Sequence, residues 1–362
     1  MKICYFIGDI TTTGGIERVL SILTTEQLKD SEFDITIVSQ FHSHLTPNYF
    51  FDNNVKIVYL SEKKFDGAPG SLTRFIHHFE MIGKVRKFFM RNRFDLILSQ
   101  SFPNTFTLWI AGLNMSRVIG VEHVFYGYYN SVIRRIRHVV YKQLAQLVVL
   151  TNNDKSAFRA EGLSNIVTIA NPVVLSNRSC SPLINKKIIS VGRLVYQKGF
   201  DTLIEIFGNI HLKYPDWVVE VYGSGVLLDE LQSQVDKAEL TNCFKFMGVT
   251  DRIECEYHKA SIFAMPSRFE GFPMVLVEAM SQGLACVSFD CPSGPSDIIC
   301  NENVGMLIEN QKKADFEKGL SRLIENTELR QQIGRNAFES VERFDVRNIV
   351  CEWKDLFQKI LG

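Results

Sequence analysis

In the segment SRFEGFPMVLVE, Ser267 to Glu278, two carboxylates bracket the start of an apolar helical run. Glu270 stands on a glycine-containing turn and Glu278 lies farther along the helix. An apolar run from Ser261 to Met265 precedes them and reads as a buried strand. Pro273 falls at the first helical position, where a fixed φ and a missing N–H cost nothing. The free N–H groups of Met274 and Val275 then point out of the helix N-terminus and suit an anion such as a diphosphate. Amides for phosphate and carboxylates for sugar hydroxyls are what a nucleotide-sugar donor requires. The segment by itself also fits an ordinary strand–turn–helix unit with solvated glutamates, so the matching features elsewhere carry the weight.

Those features sit at the ends of other apolar runs. In SVGRLVYQKGFDTLI, Arg193 and Lys198 occupy a strand-to-helix loop on the carboxyl-end side of a sheet, where open α/β sheets bind ligands. Two cations there can neutralise a departing diphosphate without a metal. No Asp-x-Asp pair of the kind that holds a divalent ion beside phosphates occurs in the chain, so no metal site is expected. In GDITTTGGIERVL, Gly14 and Gly15 open a long helix and let backbone approach a ligand, although the spacing is not the dinucleotide Gly-x-Gly-x-x-Gly. Gly223 and Gly225 in EVYGSGVLLDELQ, and Gly248 in KFMGVTDR, follow further strands at the same edge. His123 in GVEHVFYGYY also follows a strand; a lone histidine of this kind reads as structural on its own.

The elements that must position these residues form two series. Ile3 to Ile7, Asp34 to Ser39, Val55 to Tyr59, Leu96 to Ser99, Val118 to Glu122 and Leu147 to Leu150 read as strands. Glu17 to Lys29, Leu72 to Arg91 and Ser131 to Leu144 carry helical periodicity between them. After Asn171-Pro172 a second series sets strands at Lys187 to Val191, Trp217 to Tyr222, Cys243 to Met247, Ser261 to Met265, Ala285 to Phe289 and Gly305 to Ile308. Its helices fall at Phe200 to Leu212, Val226 to Lys237, Arg252 to His258, Met274 to Gln282 and Lys313 to Asn326. The alternation predicts an α/β protein of two doubly wound parallel-sheet domains, residues 1–172 and 173–344, with a ligand cleft between them. The amphipathic tail over 345–362, with Trp353, Leu356, Phe357 and Ile360 on one side, packs either on the second domain or back on the first.

With 362 residues, the chain is too long for one average core, and its 46% hydrophobic and 22% charged content is that of a globular protein. No run reaches the roughly 18 consecutive apolar residues of a membrane span. The start, Met1-Lys2 followed by ICYFIG, reads as a first strand and not a signal peptide. Eight scattered cysteines predict reduced cytoplasmic thiols. The net charge is zero, yet Leu72 to Gln143 holds 11 Lys/Arg against 3 Asp/Glu, a local +8. Its clusters are Lys84, Arg86, Lys87, Arg91 and Arg93, then Arg134, Arg135, Arg137 and Lys142, interleaved with Phe75, Phe79, Phe88, Phe89, Phe125, Tyr126, Tyr128 and Tyr129. A basic, aromatic face suits an anionic membrane surface on the cytoplasmic side or an anionic acceptor; a solvated helix face is the alternative reading. No nucleic-acid motif accompanies the charge, so a nucleic-acid partner is not expected.

In their order along nearly the whole chain, GGIERV, VEH, NPV, VGRLVYQKG, VYGSG, FMG and RFEGFP running on to Glu278 resemble the family 4 glycosyltransferases, retaining enzymes of GT-B architecture with two Rossmann-like domains. The resemblance implies that Arg193 and Lys198 hold the donor diphosphate with the amides of Gly15, Met274 and Val275. It implies Glu270 on hydroxyls of the transferred sugar, Glu278 on the ribose, the Gly248–Val249 loop beside the base, and His123 beside the reacting sugar. Gly14, Gly223, Gly271 and Phe272 complete the implied donor-binding set. Many members have glycine where Pro273 stands, so one backbone donor is absent here. The implied chemistry is metal-independent, cofactor-free transfer from a nucleotide diphosphate with retention, by a front-face route in which the leaving phosphate helps deprotonate the acceptor. The stretch SFDCPSGPSDII resembles members that build bacterial surface polysaccharide (O-antigen, capsule or exopolysaccharide) from a UDP-hexose or UDP-N-acetylhexosamine. A lipid-linked oligosaccharide or lipopolysaccharide core is the implied acceptor. Two other classes share the architecture, a nucleotide-sugar epimerase and a non-catalytic binding subunit; the set Arg193, Lys198, Glu270 and Glu278 speaks against the second.

Overall fold

The computed structural model describes residues 1–62, 64, 72–175 and 178–362, and for 72–79 the backbone only. The chain divides into two units, Met1–Val174 with Val346–Gly362, and Leu175–Asp345.

The first unit is built on a parallel sheet with strands β1 (Lys2–Ile7), β2 (Asp34–Ser39), β3 (Lys56–Tyr59), β4 (Leu96–Gln100), β5 (Val118–Glu122), β6 (Gln146–Val149) and β7 (Ile166–Thr168). Its helices are α1 (Gly15–Gln27), α2 (Leu72–Arg91), α3 (Phe102–Ile110), α4 (Ser131–Tyr141) and α5 (Asn152–Ala160). The spatial order β3-β2-β1-β4-β5-β6-β7 reverses between β1 and β4. Strands such as β1 and β4 are buried almost end to end, because helices cover both faces; that is why they read as unbroken apolar runs instead of alternating ones.

The second unit has strands β8 (Lys187–Val191), β9 (Val218–Tyr222), β10 (Phe244–Gly248), β11 (Ile262–Met265), β12 (Ala285–Asp290) and β13 (Met306–Glu309). Its helices are α6 (Phe200–His211), α7 (Leu228–Lys237), α8 (Ile253–His258), α9 (Met274–Ser281), α10 (Pro295–Ile298), α11 (Lys313–Glu325) and α12 (Thr327–Ser340). The order β10-β9-β8-β11-β12-β13 is again all parallel and reverses between β8 and β11. One core runs through this unit, from Phe200, Phe207 and Phe244 to Phe289 and Phe316.

The final helix, α13 (Val346–Leu361), closes the first unit. Ile349, Trp353, Leu356 and Phe357 sit at helical spacing and join the core of β1, β2 and α1. The Phe357 ring meets Phe33 edge-on at 6.2 Å, and Lys354 bonds Asp30 at 2.6 Å. Of the two positions open to the tail, it takes the first.

Several elements were absent from the pattern reading. α3 is apolar around most of its circumference, and α5 is polar with a single buried aromatic, Phe158, so neither shows a clean stripe. β7 is a three-residue edge strand, and α12 follows α11 through Asn326 alone, which caps the new helix by accepting from Leu329 N at 2.9 Å. Pro273 is the residue before α9, not its first; the helix begins at Met274.

Candidate active site

β8 and β11 are the neighbours at which the strand order of the second unit reverses, so the loops leaving their carboxyl ends diverge and leave a crevice. Lys198 follows β8 and Glu270 follows β11. Their side chains meet there, Nζ to Oε1 at 2.7 Å, both largely withdrawn from water. Sequence spacing placed each on a loop; the pairing of the two is a product of the topology.

The turn that carries Lys198 is held from three directions. Gly199 adopts a left-handed φ of 67°, and a Cβ there would collide with the Pro266 carbonyl oxygen, so only glycine lets the turn lie against the end of β11. Gln197 Nε2 donates to Phe269 O at 2.9 Å and reaches Glu270 Oε2 at 3.4 Å. Arg268 does the most. Its guanidinium donates to Asp201 through Nη1 at 2.9 Å and Nη2 at 2.6 Å, donates to Tyr196 O at 2.7 Å, and lies 4.1 Å from the Tyr196 ring centroid. This planar fork suits arginine alone among the cations. Burial pushes the Asp201 carboxyl up, but the contact with Arg268 and local backbone hydrogen bonds outweigh it and hold the pKa below its ordinary value; the same contact raises that of the Arg268 guanidinium. Gln197, Asp201 and Arg268 were not singled out in the sequence, since solvated loop charges look the same on paper.

Glu270 is buried, and its N–H donates to Pro292 O at 3.3 Å. The loop after β12 therefore seats directly on the Glu270 turn. Ser293 (φ 66°) and Gly294 (φ 102°) make the bend; a Cβ on Gly294 would strike the Pro273 ring. Cys291 in that loop is buried, with its thiol pushed well above the ordinary range by burial first and the Glu270 charge second. Leu276 N donates to Pro273 O, which leaves the Met274 and Val275 amides ahead of the first intrahelical bond. Glu278, one turn on from Met274, is half-buried on the same helix, and Gly271 and Phe272 form the turn between.

The remaining sequence candidates separate. Arg193 is exposed and, among the described residues, its guanidinium makes no hydrogen bond or ion pair. Gly223 has φ 139° and lies so close to the Gly192 carbonyl that a Cβ cannot fit; the chain's own packing demands this glycine. Gly223 N donates to Gly248 O at 2.8 Å, which ties the β9 and β10 ends together, while Val249 is exposed beyond them. Gly14 precedes α1, and the Glu17 carboxylate folds back over it, held by Thr12 Oγ1 at 2.9 Å. Gly15 starts the helix with open space beside it.

His123, in the first unit, follows β5. Gln100 Nε2 donates to Leu98 O, so its Oε1 faces the imidazole at 2.8 Å and His123 Nε2 carries the proton. The surrounding cavity is lined by Tyr5, Leu20, Val121, Leu150 and Trp353, the last supplied by α13. That apolar lining pushes the pKa of His123 down to about 4, and the ring is neutral at physiological pH. Adjacent Glu122 is fully buried; it accepts from Tyr141 at 2.7 Å and pairs with Arg137 at 3.4 Å, yet burial still outweighs the arginine and raises its pKa.

That pair corrects the expected basic face. Arg137 is 1% exposed and belongs to the interior, under the rings of Tyr126, Tyr129 and Phe158. Phe88, Phe89, Tyr126 and Tyr129 pack on the same core, and the side chains of Phe75 and Phe79 lie outside the described residues. Lys84, Arg86, Lys87, Arg91, Arg93, Arg135 and Lys142 are exposed. No helix among the described residues is long and apolar enough to cross a membrane.

Residues 177–340 match the family described as glycosyl transferases group 1. The fold is GT-B. Over 98% of its length and 99% of the relative's, the chain is 28% identical to the amylovoran biosynthesis glycosyltransferase AmsD of Erwinia amylovora. An α-1,4-N-acetyl-D-galactosaminyltransferase of Campylobacter jejuni, named for a PP-undecaprenol-linked saccharide, is 24% identical over 99% of both chains. Among solved structures, a TarM variant of S. aureus in complex with fondaparinux, α-GlcNAc-glycerol and UDP superposes with a TM-score of 0.79 at 16% identity, covering 98% of this chain and 99% of that one. Glycosyl transfer is the activity these likenesses support. For the GT-B chain described here, the match covers the unit that holds Lys198 and Glu270.

Proposed function

We propose that the protein is a retaining, metal-independent glycosyltransferase of family 4 type. It moves a hexose or N-acetylhexosamine from a UDP-sugar to a lipid-linked oligosaccharide or lipopolysaccharide acceptor, peripherally on the inner face of the plasma membrane. The observation that carries this reading is the Lys198–Glu270 contact at the switch point of the second unit, with the amide-bearing start of α9 next to it. A cation and a helix N-terminus stabilise the charge that grows on a leaving diphosphate, and a buried carboxylate beside them orients sugar hydroxyls.

In this reading Lys198 and Arg193 take the diphosphate, the Arg193 guanidinium being exposed and without a side-chain partner among the described residues. Glu270 takes the sugar and Glu278 the ribose, with Gly248 and Val249 bordering the base. His123, neutral and with Nδ1 free of a proton, accepts a hydrogen bond from the reacting sugar. The UDP assignment draws support from the TarM complex, and the lipid-linked acceptor from the name of the Campylobacter relative.

The test is a donor screen against undecaprenyl-diphosphate saccharides, with UDP release, product mass and the anomeric coupling constant as readouts. Release of UDP with an α-linked product from an α-configured donor is expected, in the presence of chelator as in its absence. Isomerised donor without acceptor identifies an epimerase instead.

A further inference from the structure

Helix α4 packs Ile133, Val140 and Tyr141 onto the core and carries a further apolar stripe on its outward side. Asn130 caps it by accepting from Ile133 N at 3.0 Å, and its inward side buries a guanidinium, that of Arg137, whose Nη2 donates to Tyr126 O at 2.7 Å. Its outward side shows aliphatic residues: Val132, Ile136 and Val139 are 64%, 40% and 54% exposed. These lie at i, i+4 and i+7, so they form one stripe along the helix. Arg135 and Lys142 are exposed beside it, and Tyr128 is exposed just ahead of the helix. A surface helix with no second partner would carry polar residues at those stripe positions.

The charge around the stripe selects the partner. From Leu96 to Gln143 the only acidic residue is Glu122, which is buried and bonded to Arg137 and Tyr141. The outer surface of this segment therefore presents cations and no anions. A second copy packed here about a two-fold axis would set Arg135 and Lys142 near their own equivalents, a like-charge arrangement. An anionic bilayer satisfies both features at once: the aliphatic stripe enters the acyl boundary and the flanking cations meet the headgroups.

We propose that α4 is a lipid-docking helix, its Val132–Ile136–Val139 stripe and the cations Arg135 and Lys142 seating this protein on an anionic phospholipid surface. The buried Arg137 anchors the helix from below, through Glu122 and the Tyr126 carbonyl, so the stripe is presented by a rigid element. The inference deepens the membrane-acceptor reading by naming the surface that makes the contact, and its test does not depend on the reaction.

The full chain is sedimented with vesicles of phosphatidylglycerol and phosphatidylcholine, and with vesicles of phosphatidylcholine alone, at low and high salt. It should pellet with the first, be released by salt, and stay in solution with the second. The triple variant Val132→Ser, Ile136→Ser, Val139→Ser and, separately, Arg135→Glu with Lys142→Glu should each lose at least about tenfold in partitioning. Leu212→Ser with Val226→Ser, two exposed apolar residues of the other unit, should change nothing. Melting temperature verifies folding of each variant, and the charge-reversal pair keeps the test decisive if the triple variant fails to fold. Equal binding to both vesicle types, no binding to either, or full binding by the α4 variants overturns the proposal. Transfer to a detergent-solubilised acceptor should be retained by these variants; its absence in the unaltered protein would count against the transferase reading and not against lipid docking.

Discussion

Lys198 Nζ and Glu270 Oε1 stand 2.7 Å apart across the two loops that leave β8 and β11. In the proposed reading the donor diphosphate shares Lys198 with this buried carboxylate. Replacing Lys198 with Ala strands the Glu270 charge, which costs about 3–5 kcal/mol for a buried pair broken on one side. Lower thermal stability and loss of turnover are expected together. The double variant Lys198→Ala with Glu270→Ala should recover much of the stability and none of the turnover. A double variant as unstable as Lys198→Ala would show that the pair is not the source of the cost.

Arg193 offers the contrasting case. Its guanidinium is exposed and makes no hydrogen bond or ion pair among the described residues, so Arg193→Ala should leave stability within about 0.5 kcal/mol of the original. A lost charge-assisted phosphate contact is worth about 1.5–3 kcal/mol, which predicts UDP binding weaker by about 10- to 100-fold in calorimetry. Unchanged affinity would remove Arg193 from the diphosphate site.

Arg268 acts through its neighbours. Its fork onto Asp201 and its bond to Tyr196 O fix the turn that presents Lys198. Arg268→Lys keeps the charge and loses the planar fork. Turnover should drop by about tenfold or more with a small change in melting temperature, and Asp201→Asn should add little once Arg268 is altered. Additive effects of the two substitutions would mean that they do not act as one clamp.

The depressed pKa of His123 has a defined sign. Its folded value, about 4, lies below the ~6.5 of an exposed imidazole, so folding favours the neutral ring. That contribution is complete above the unfolded value and is lost as pH falls from ~6.5 towards about 4. Urea midpoints should decline over this window, and His123→Asn should flatten the decline. An unchanged slope in the variant would place the acid sensitivity elsewhere.

Gly223 tests packing and not chemistry. With φ at 139° and the Gly192 carbonyl where a Cβ would stand, Gly223→Ala should destabilise the second unit by several times the ~1 kcal/mol of an ordinary glycine replacement. Chemical denaturation measures it; a neutral substitution would show that the β8 and β9 ends can move apart.

Much of this molecule is written in its one-dimensional pattern. Continuous apolar runs such as Ile3–Ile7 and Ile262–Met265 announce strands covered on both faces, and the loops of the second series hold Arg193, Lys198, Glu270 and several glycines. Other features needed three dimensions. Strand order decided that β8 and β11 are neighbours, and only then do Lys198 and Glu270, distant in sequence, become an ion pair. Tertiary packing also turned Arg137 inward, sent α13 to the first unit, and made Gly223 a packing requirement. The physical reason is the same throughout: periodicity reports what an element does along its own axis, whereas partner choice depends on long-range neighbours that local residue types do not encode.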